Sequence, residues 1–475
     1  MPPTMAKPRR RRGQEALTVR LDLNGAFVDA PGSDGVHAAD LNGLRPELER
    51  VRALLATRRR EGGLPFAELP YRAGELKEIR ARAEEVRRDF DTLVVLGIGG
   101  AALGAEALTS ALVDPRTSAV QVLVADSIDP AAIQALLASV DLRRTLFNVV
   151  SKSGDTAETM ARFLIVRDRL MRELGAVDYK RHLLVTTEKE RGSLRQIVND
   201  EGFPSLSAPA DVDGRFAALS AMGLFPAAVA GIDVEEIVAG AAALDERSRQ
   251  ATDVLADPPL ALAGMLWHLG TRRDARIVVL MSYSERLSAL AEWFSQLWVG
   301  SLGKAVDRTG RPVAWGQTAI RARGSADQHS HLQLYLEGPR DKVVLFLRVE
   351  DHGDTLTVPA AYQDLEDVAC LGGRSLGAIL NAEQTATEFA LANHGRPSLA
   401  INVPSITPHT VGQLVYLCEL ATVAAGYLAD VDPFGQPAIE EAKALTYALL
   451  GRPGLEARRG EVDAWVARKD ARFIV

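Results

Sequence analysis

The sequence predicts an α/β protein built on parallel sheets, with two domains and a mostly helical C-terminal part. Three observations carry that expectation. Short β-rich runs alternate with helix-like segments, the way parallel layers are written in a chain. The runs fall into two sets, parted near residue 250. The chain has 475 residues, too many for one simple core when domains usually run to about 150–200 residues.

The first set is "TLVVLG" (92–97), "VQVLVAD" (120–126), "LFNVVS" (146–151) and "HLLVTT" (182–187), all read as buried strands. After the third run, Met160, Phe163, Leu164, Met171 and Leu174 recur at helical spacing and predict one apolar helix face. The second set is "RIVVLMSYS" (276–284), "KVVLFLRVE" (342–350) and "SLAINVPS" (398–405). An uncharged stretch over 216–232 and the segment "DERSRQATDVLADPP" (245–259) separate the sets. The expected division is an N-terminal arm with a short strand over 1–50, domains over 51–250 and 251–450, and a tail over 451–475. From about residue 405 the chain reads as mostly helical, and no sequence-level repeat is visible.

Composition narrows the function. The chain is 47% apolar and 25% charged, ordinary for a soluble globular protein. Its net charge of −7 argues against a general nucleic-acid or anionic-membrane binder. Cys370 and Cys418 fit neither a disulfide framework nor a metal framework, so a reducing, cytoplasmic setting is expected. The run Lys7-Pro8-Arg9-Arg10-Arg11-Arg12 has no apolar segment behind it and reads as a short tail rather than a secretory signal. The uncharged stretch 216–232 is broken by Gly223, Pro226 and Gly231, so it reads as a buried helix rather than a membrane span.

Two turns carry possible chemistry. "GIGGAALG" (97–104) follows a strand and opens a helix, and it formally matches a dinucleotide fingerprint through Gly97, Gly99 and Ala102, with Asp126 ending the next strand. A tight turn needing only backbone room, or another phosphate site, explains it equally well. "VSKSGDTAET" (150–159) sets Ser151, Ser153 and Thr156 between a strand and a helix, with Gly154 permitting the turn. Three hydroxyls and the free N–H groups of a helix start suit a phosphate monoester. An ordinary N-cap by Asp155 or Thr156, with Glu158 in the first turn, accounts for only one of the hydroxyls. Both turns sit at the carboxyl ends of strands, where parallel sheets bind ligands.

Downstream signals are weaker one by one. "QLWVGSLGK" (296–304) is not a phosphate loop, because the required first glycine is Trp298 and the required hydroxyl after Lys304 is Ala305. His329 and His331 are two apart, which without further ligands is thin evidence for a metal. "DPFGQPAIEEAKAL" (432–445) places Pro437 at a helix start and Lys443 two turns in.

Taken in order, "GIGGAALG", "SKSGDTAET", "DGRFAAL", "SLGK", "DQHSHLQL" and "DPFGQPAIEEAK" resemble the glucose-6-phosphate isomerase family in its bacterial form, over about residues 60–450. The resemblance implies two three-layer α/β/α sugar-isomerase domains, a homodimer with a shared active site, a hexose 6-phosphate substrate, and neither metal nor redox cofactor. It implies that Gly100, Ser151, Lys152, Ser153 and Thr156 hold the sugar phosphate, with Glu158 a further substrate contact. Arg215 would stabilise an enediolate, His329 from a neighbouring subunit and Lys443 would assist ring opening, and Gln296 and Gln436 would line the sugar.

Two positions depart from the family pattern. A serine expected after the glycine turn is Ala101, worth about 1 kcal/mol of binding. More serious, the glutamate expected one helical turn after Gln296 as proton-transfer base is Gly300. Glu292 lies about 12 Å along the helix axis from that position, a poor substitute. A positioned base typically contributes about 10²–10⁴-fold. The reading is therefore an isomerase with impaired turnover, unless a carboxylate such as Glu337 or Glu383 swings in; the alternative is a protein that binds a sugar phosphate without converting it.

Overall fold

The computed structural model describes residues 17–27, 35–114, 116–353 and 356–475. The arginine run over 7–12 lies outside them. Two compact units emerge, Met1–Pro433 and Phe434–Val475.

The larger unit holds two main sheets. The first comprises β2 (Thr92–Leu96), β3 (Gln121–Ala125), β4 (Thr145–Val150), β5 (Leu183–Thr187) and β6 (Ser205–Ser207), in the order β3-β2-β4-β5-β6 and parallel throughout. The second comprises β1 (Arg20–Asp22), β7 (Ile277–Ser282), β10 (Thr318–Arg323), β11 (Lys342–Asp351) and β12 (Ser398–Ser405), in the order β1-β12-β11-β7-β10. All its pairs are parallel except β1 on β12. Counted within each sheet, the parallel strands follow one winding: the second strand lies outside the first, and the third crosses back beside it. That repetition of topology has no counterpart in the residues themselves. A small antiparallel pair, β8 (Lys304–Val306) with β9 (Pro312–Trp315), stands apart.

The seven apolar runs all became strands. β4 and β5 are buried at every position, as strands covered by helices on both faces must be. Each sheet has its own apolar cluster, one around Phe147, Val149 and Phe163, the other around Met281, Tyr283 and Phe346. β10 was not legible because it alternates polar and apolar residues at a sheet edge, and β6, β8 and β9 are too short to show a period.

Three local expectations need correction. The stretch read as an arm contains the helix Asp40–Arg60, whose Leu44, Leu48, Val51 and Leu55 form a buried stripe among arginines and glutamates. On the helix Ala157–Asp178, Phe163 is buried while Leu164 is exposed; the inward face is completed by Val166, Leu170 and, unexpectedly, Arg162. The segment read as a separator begins inside the helix Val234–Gln250, where buried Asp245 accepts hydrogen bonds from Arg59, Tyr71 and Tyr416.

The uncharged stretch does contain a helix, Ala221–Val229, buried at every residue. Pro408–Leu428 is long and apolar enough to cross a membrane by length and composition, yet it is wholly buried against Val234–Gln250 and Pro258–Arg272. Cys370 is exposed and Cys418 buried, and both are free thiols. The smaller unit consists of the helices Pro437–Leu449 and Glu456–Ala467 and a final turn, Ala471–Phe473.

Candidate active site

The winding of the first sheet creates a site. The chain leaves β2 for β3 on one side and returns to β4 on the other, so the connections after β2 and β4 part company at their carboxyl ends. A crevice at such a switch point is where open parallel sheets bind ligands. Leu96 and Val149 are paired in register there, and the two turns singled out in the sequence follow directly.

The glycine turn is shaped by what packs on it. Gly99 has φ of +58°, and a Cβ there would lie 2.8 Å from Nε2 of Gln296. A Cβ on Gly100 would lie 2.5 Å from both the backbone nitrogen of Arg215 and the carbonyl carbon of Gly214. The clearance that a fingerprint glycine gives a pyrophosphate is filled here by the Gly214–Arg215 backbone. That packing favours the backbone-room explanation of the turn over a dinucleotide site.

The hydroxyl turn is knit together. Ser151 Oγ lies 3.0 Å from Thr156 Oγ1 and accepts the Gly154 N–H at 3.1 Å, while Ser153 Oγ accepts the Asp155 N–H at 3.4 Å. Thr156 occupies the N-cap of the helix Ala157–Asp178 without making a side-chain cap bond. The Thr156 form of the N-cap explanation therefore fails. Asp155 instead accepts the Ser193 N–H at 3.0 Å, fastening the turn to the next helix. Lys152 reaches across and donates to the carbonyl of Val212 at 2.8 Å, just ahead of Arg215.

Arg215 links the segments. It is buried; Nε donates to Ser301 Oγ at 2.8 Å, and Nη2 donates to the Pro433 carbonyl at 2.7 Å and lies 3.3 Å from Asp213 Oδ2. Burial holds its pKa below the ordinary arginine value, against the attraction of Asp213 and Asp432. Half-buried Lys304 is also lowered, first by burial and then by the positive charge of Arg215. A buried and a half-buried cation thus stand close enough to feel each other.

Arg162 is a residue that sequence reasoning missed. Buried on the helix that follows the hydroxyl turn, it donates to the carbonyls of Gly97, Ala125 and Glu158. It ties the ends of β2 and β3 to that helix. The available signal was a cation in the middle of a predicted apolar face.

Gln296 and Gly300 both lie on the helix Ser288–Leu302, which ends at Gly303 and buries Leu290, Phe294 and Leu297. Gln296 meets the glycine turn, and Ser301, next to Gly300, meets Arg215. No carboxylate stands at 300. Glu292 is exposed and lies 3.4 Å from Arg321, and Glu337 accepts from Gln333 on its own helix. Glu383 is felt by the Tyr283 hydroxyl. His329 is exposed after the short helix Gly324–Gln328, and His331 faces Tyr335. In the smaller unit, Gln436 precedes the helix Pro437–Leu449 at its N-cap position without a side-chain cap bond, and Lys443 pairs with Glu440 at 2.7 Å. Among the described residues, no group of three or more His, Cys, Asp or Glu side chains is placed to hold a metal.

Fold and geometry together define an α/β protein of two similarly wound parallel sheets, with two loops leaving the switch point of the first and a buried arginine packed beside the glycine turn. Comparison with known proteins gives the family. The phosphoglucose isomerase family model matches residues 78–466. Curated glucose-6-phosphate isomerases of Carboxydothermus hydrogenoformans and Rubrobacter xylanophilus are 38% and 41% identical, over 97% and 82% of this chain and 100% and 90% of theirs. A crystal structure of a Thermus thermophilus protein described as hypothetical superposes with a TM-score of 0.82 at 38% identity, covering 91% of this chain and all of that one. A Chlamydia trachomatis glucose-6-phosphate isomerase shares the fold at 20% identity, with a TM-score of 0.78 over 91% of this chain and 90% of that one. The chain belongs to the phosphoglucose isomerase family.

Proposed function

We propose that this chain interconverts glucose 6-phosphate and fructose 6-phosphate, as an aldose–ketose isomerase. The observation that carries the proposal is the meeting of Gly99 with Gln296, Gly100 with Arg215, and Arg215 with Ser301 at the end of β2. Three segments far apart in sequence supply one site, in the order shared with relatives about 40% identical and curated as that enzyme. Those relatives do not favour binding without conversion.

Ser151, Ser153, Thr156 and the helix start behind them hold the sugar phosphate, with Lys152 and Glu158 at the rim. Anchoring the remote end supplies binding energy for orientation at the reacting carbons. Ring opening moves a proton from the anomeric hydroxyl to the ring oxygen, work for His329 and Lys443. Isomerisation then passes through an enediolate, whose negative charge the fixed Arg215 guanidinium stabilises in a water-poor crevice. His329 comes from a second copy of the chain, so the working form is a homodimer in the cytoplasm. Each main sheet marks one sugar-isomerase domain, with the boundary near residue 250, and Gln436 lines the sugar.

The test is a coupled assay of fructose 6-phosphate conversion by the full chain, with Arg215→Met beside it. Conversion by the wild type and its loss in the variant is the expected result. A chain that binds fructose 6-phosphate without converting it would overturn the assignment.

A further inference from the structure

The isomerisation needs a base, and position 300 offers none. We infer that Asp213 is the carboxylate that moves the proton between C1 and C2, acting from its place beside the Arg215 guanidinium. The inference rests on the isomerase reading above and assigns a residue within it.

The geometry of Arg215 points there. One edge of its guanidinium donates to Ser301, the neighbour of Gly300, while Nη2 lies 3.3 Å from Asp213 Oδ2. Asp213 and Ser301, at the end of the helix Ser288–Leu302, are therefore both partners of a single guanidinium group. Asp213 also precedes the Gly214–Arg215 backbone pressed on Gly100, so its main chain is held against the glycine turn. Its side chain keeps 31% of its surface exposed, where that of Arg215 keeps 5%, so the carboxylate reaches solvent while the arginine is buried. Asp432 attracts the same arginine and is the competing candidate. Asp213 is preferred because the residues that follow it, Gly214 and Arg215, are the backbone pressed on Gly100.

The step balances without a co-reactant. Asp213 takes the C2 proton of the open-chain aldose; the C2–H electron pair forms the C1=C2 bond, and the C1 carbonyl electrons move to O1 beside Arg215. The O2 proton passes to O1, Asp213 returns its proton to C1, and the O2 electrons close the C2 carbonyl. Hydrogen at C2 is thereby exposed to solvent exchange.

The experiment follows that hydrogen. Full-length wild type, Asp213→Asn, Asp432→Asn and the double variant Asp213→Asn/Gly300→Glu are incubated with fructose 6-phosphate in deuterated water, and label entering the sugar is read alongside kcat, KM and the pH profile. For Asp213→Asn, kcat and label uptake should fall about 10²–10⁴-fold. Affinity for fructose 6-phosphate should be retained. Gly300→Glu should restore exchange in the Asp213→Asn background, an effect that mere repositioning of Arg215 would not produce. Wild-type exchange with equal exchange in Asp213→Asn, or loss confined to Asp432→Asn, would overturn the inference and leave the isomerase reading standing. A wild type that exchanges no hydrogen would instead overturn the isomerase reading. Fructose 6-phosphate binding by calorimetry shows that each variant is folded.

Discussion

Nη2 of Arg162 donates to the carbonyl of Gly97 at 2.9 Å, across 65 residues of chain. The bond joins the helix behind the hydroxyl turn to the start of the glycine turn, so the two loops of the crevice share one buried side chain. Arg162→Met keeps much of the volume but leaves the Gly97 and Ala125 carbonyls without this donor. An unsatisfied buried acceptor costs about 1–3 kcal/mol, offset in part by no longer burying a charge. The expected outcome is a loss of about 1–3 kcal/mol in urea unfolding, with a larger proportional loss of kcat/KM because the turn loosens.

Gly100→Ala puts a methyl group 2.5 Å from the backbone of Gly214 and Arg215. Backbone cannot swing aside as a side-chain tip can, so the loop carrying Arg215 must shift. Misplacement of a catalytic group by about 1 Å can cost about 10²-fold. Gly100→Ala should lose kcat/KM by about that factor, measured in the coupled assay, with a modest fall in melting temperature. Wild-type activity would mean that the loop has freedom the packing does not indicate.

Gly300 invites two substitutions that separate stability from chemistry. Helix-interior glycine costs about 0.5–1 kcal/mol relative to alanine, so Gly300→Ala should raise unfolding stability by that amount while leaving kcat nearly unchanged. Gly300→Glu adds a carboxylate one turn from Gln296, and should leave kcat close to the wild-type value because Asp213 already supplies the base. Its stability gain should be smaller than that of alanine, because a negative charge near a helix C-terminus opposes the dipole. Steady-state kinetics and urea melts on both variants decide this.

Asp257 is buried and its pKa is pushed up to about 6, first by burial, while Ser248 Oγ lies 2.9 Å from both carboxylate oxygens and Arg52 and Arg247 pull the other way. Between the unfolded value of 3.8 and about 6, the folded state holds a proton that the unfolded chain has released. Stability therefore falls as pH rises through that window and the full cost persists above it, about 3 kcal/mol at about 1.4 kcal/mol per pKa unit. Asp257→Asn keeps an acceptor for Ser248 and never ionises. It should gain on wild type as pH rises from 4 to 6, read from denaturation at a series of pH values; parallel curves would refute the assignment.

The two sheets were legible because a strand covered on both faces must be apolar along its length, and seven such runs stood out. The two loop-to-helix turns were legible for a local reason, since glycine and hydroxyl residues act within a few positions. The helix Asp40–Arg60 was hidden because four apolar residues were outnumbered by charges. Edge strand β10 was hidden because one side of it has no neighbour to demand an apolar run.

The site divides along the same line. By itself the sequence determined the family motifs, the crevice-forming turns and the absence of a glutamate at 300, because each is a matter of residue identity over short spans. Only the tertiary structure decided that Gly100 yields to the Arg215 backbone, that Arg162 stitches the turns together, and that Ser301 and Asp213 share the Arg215 guanidinium. Those are contacts between residues tens to hundreds of positions apart, or orientations set by such contacts. Their partners are chosen by how the sheet winds and how the helices pack, which no local pattern records.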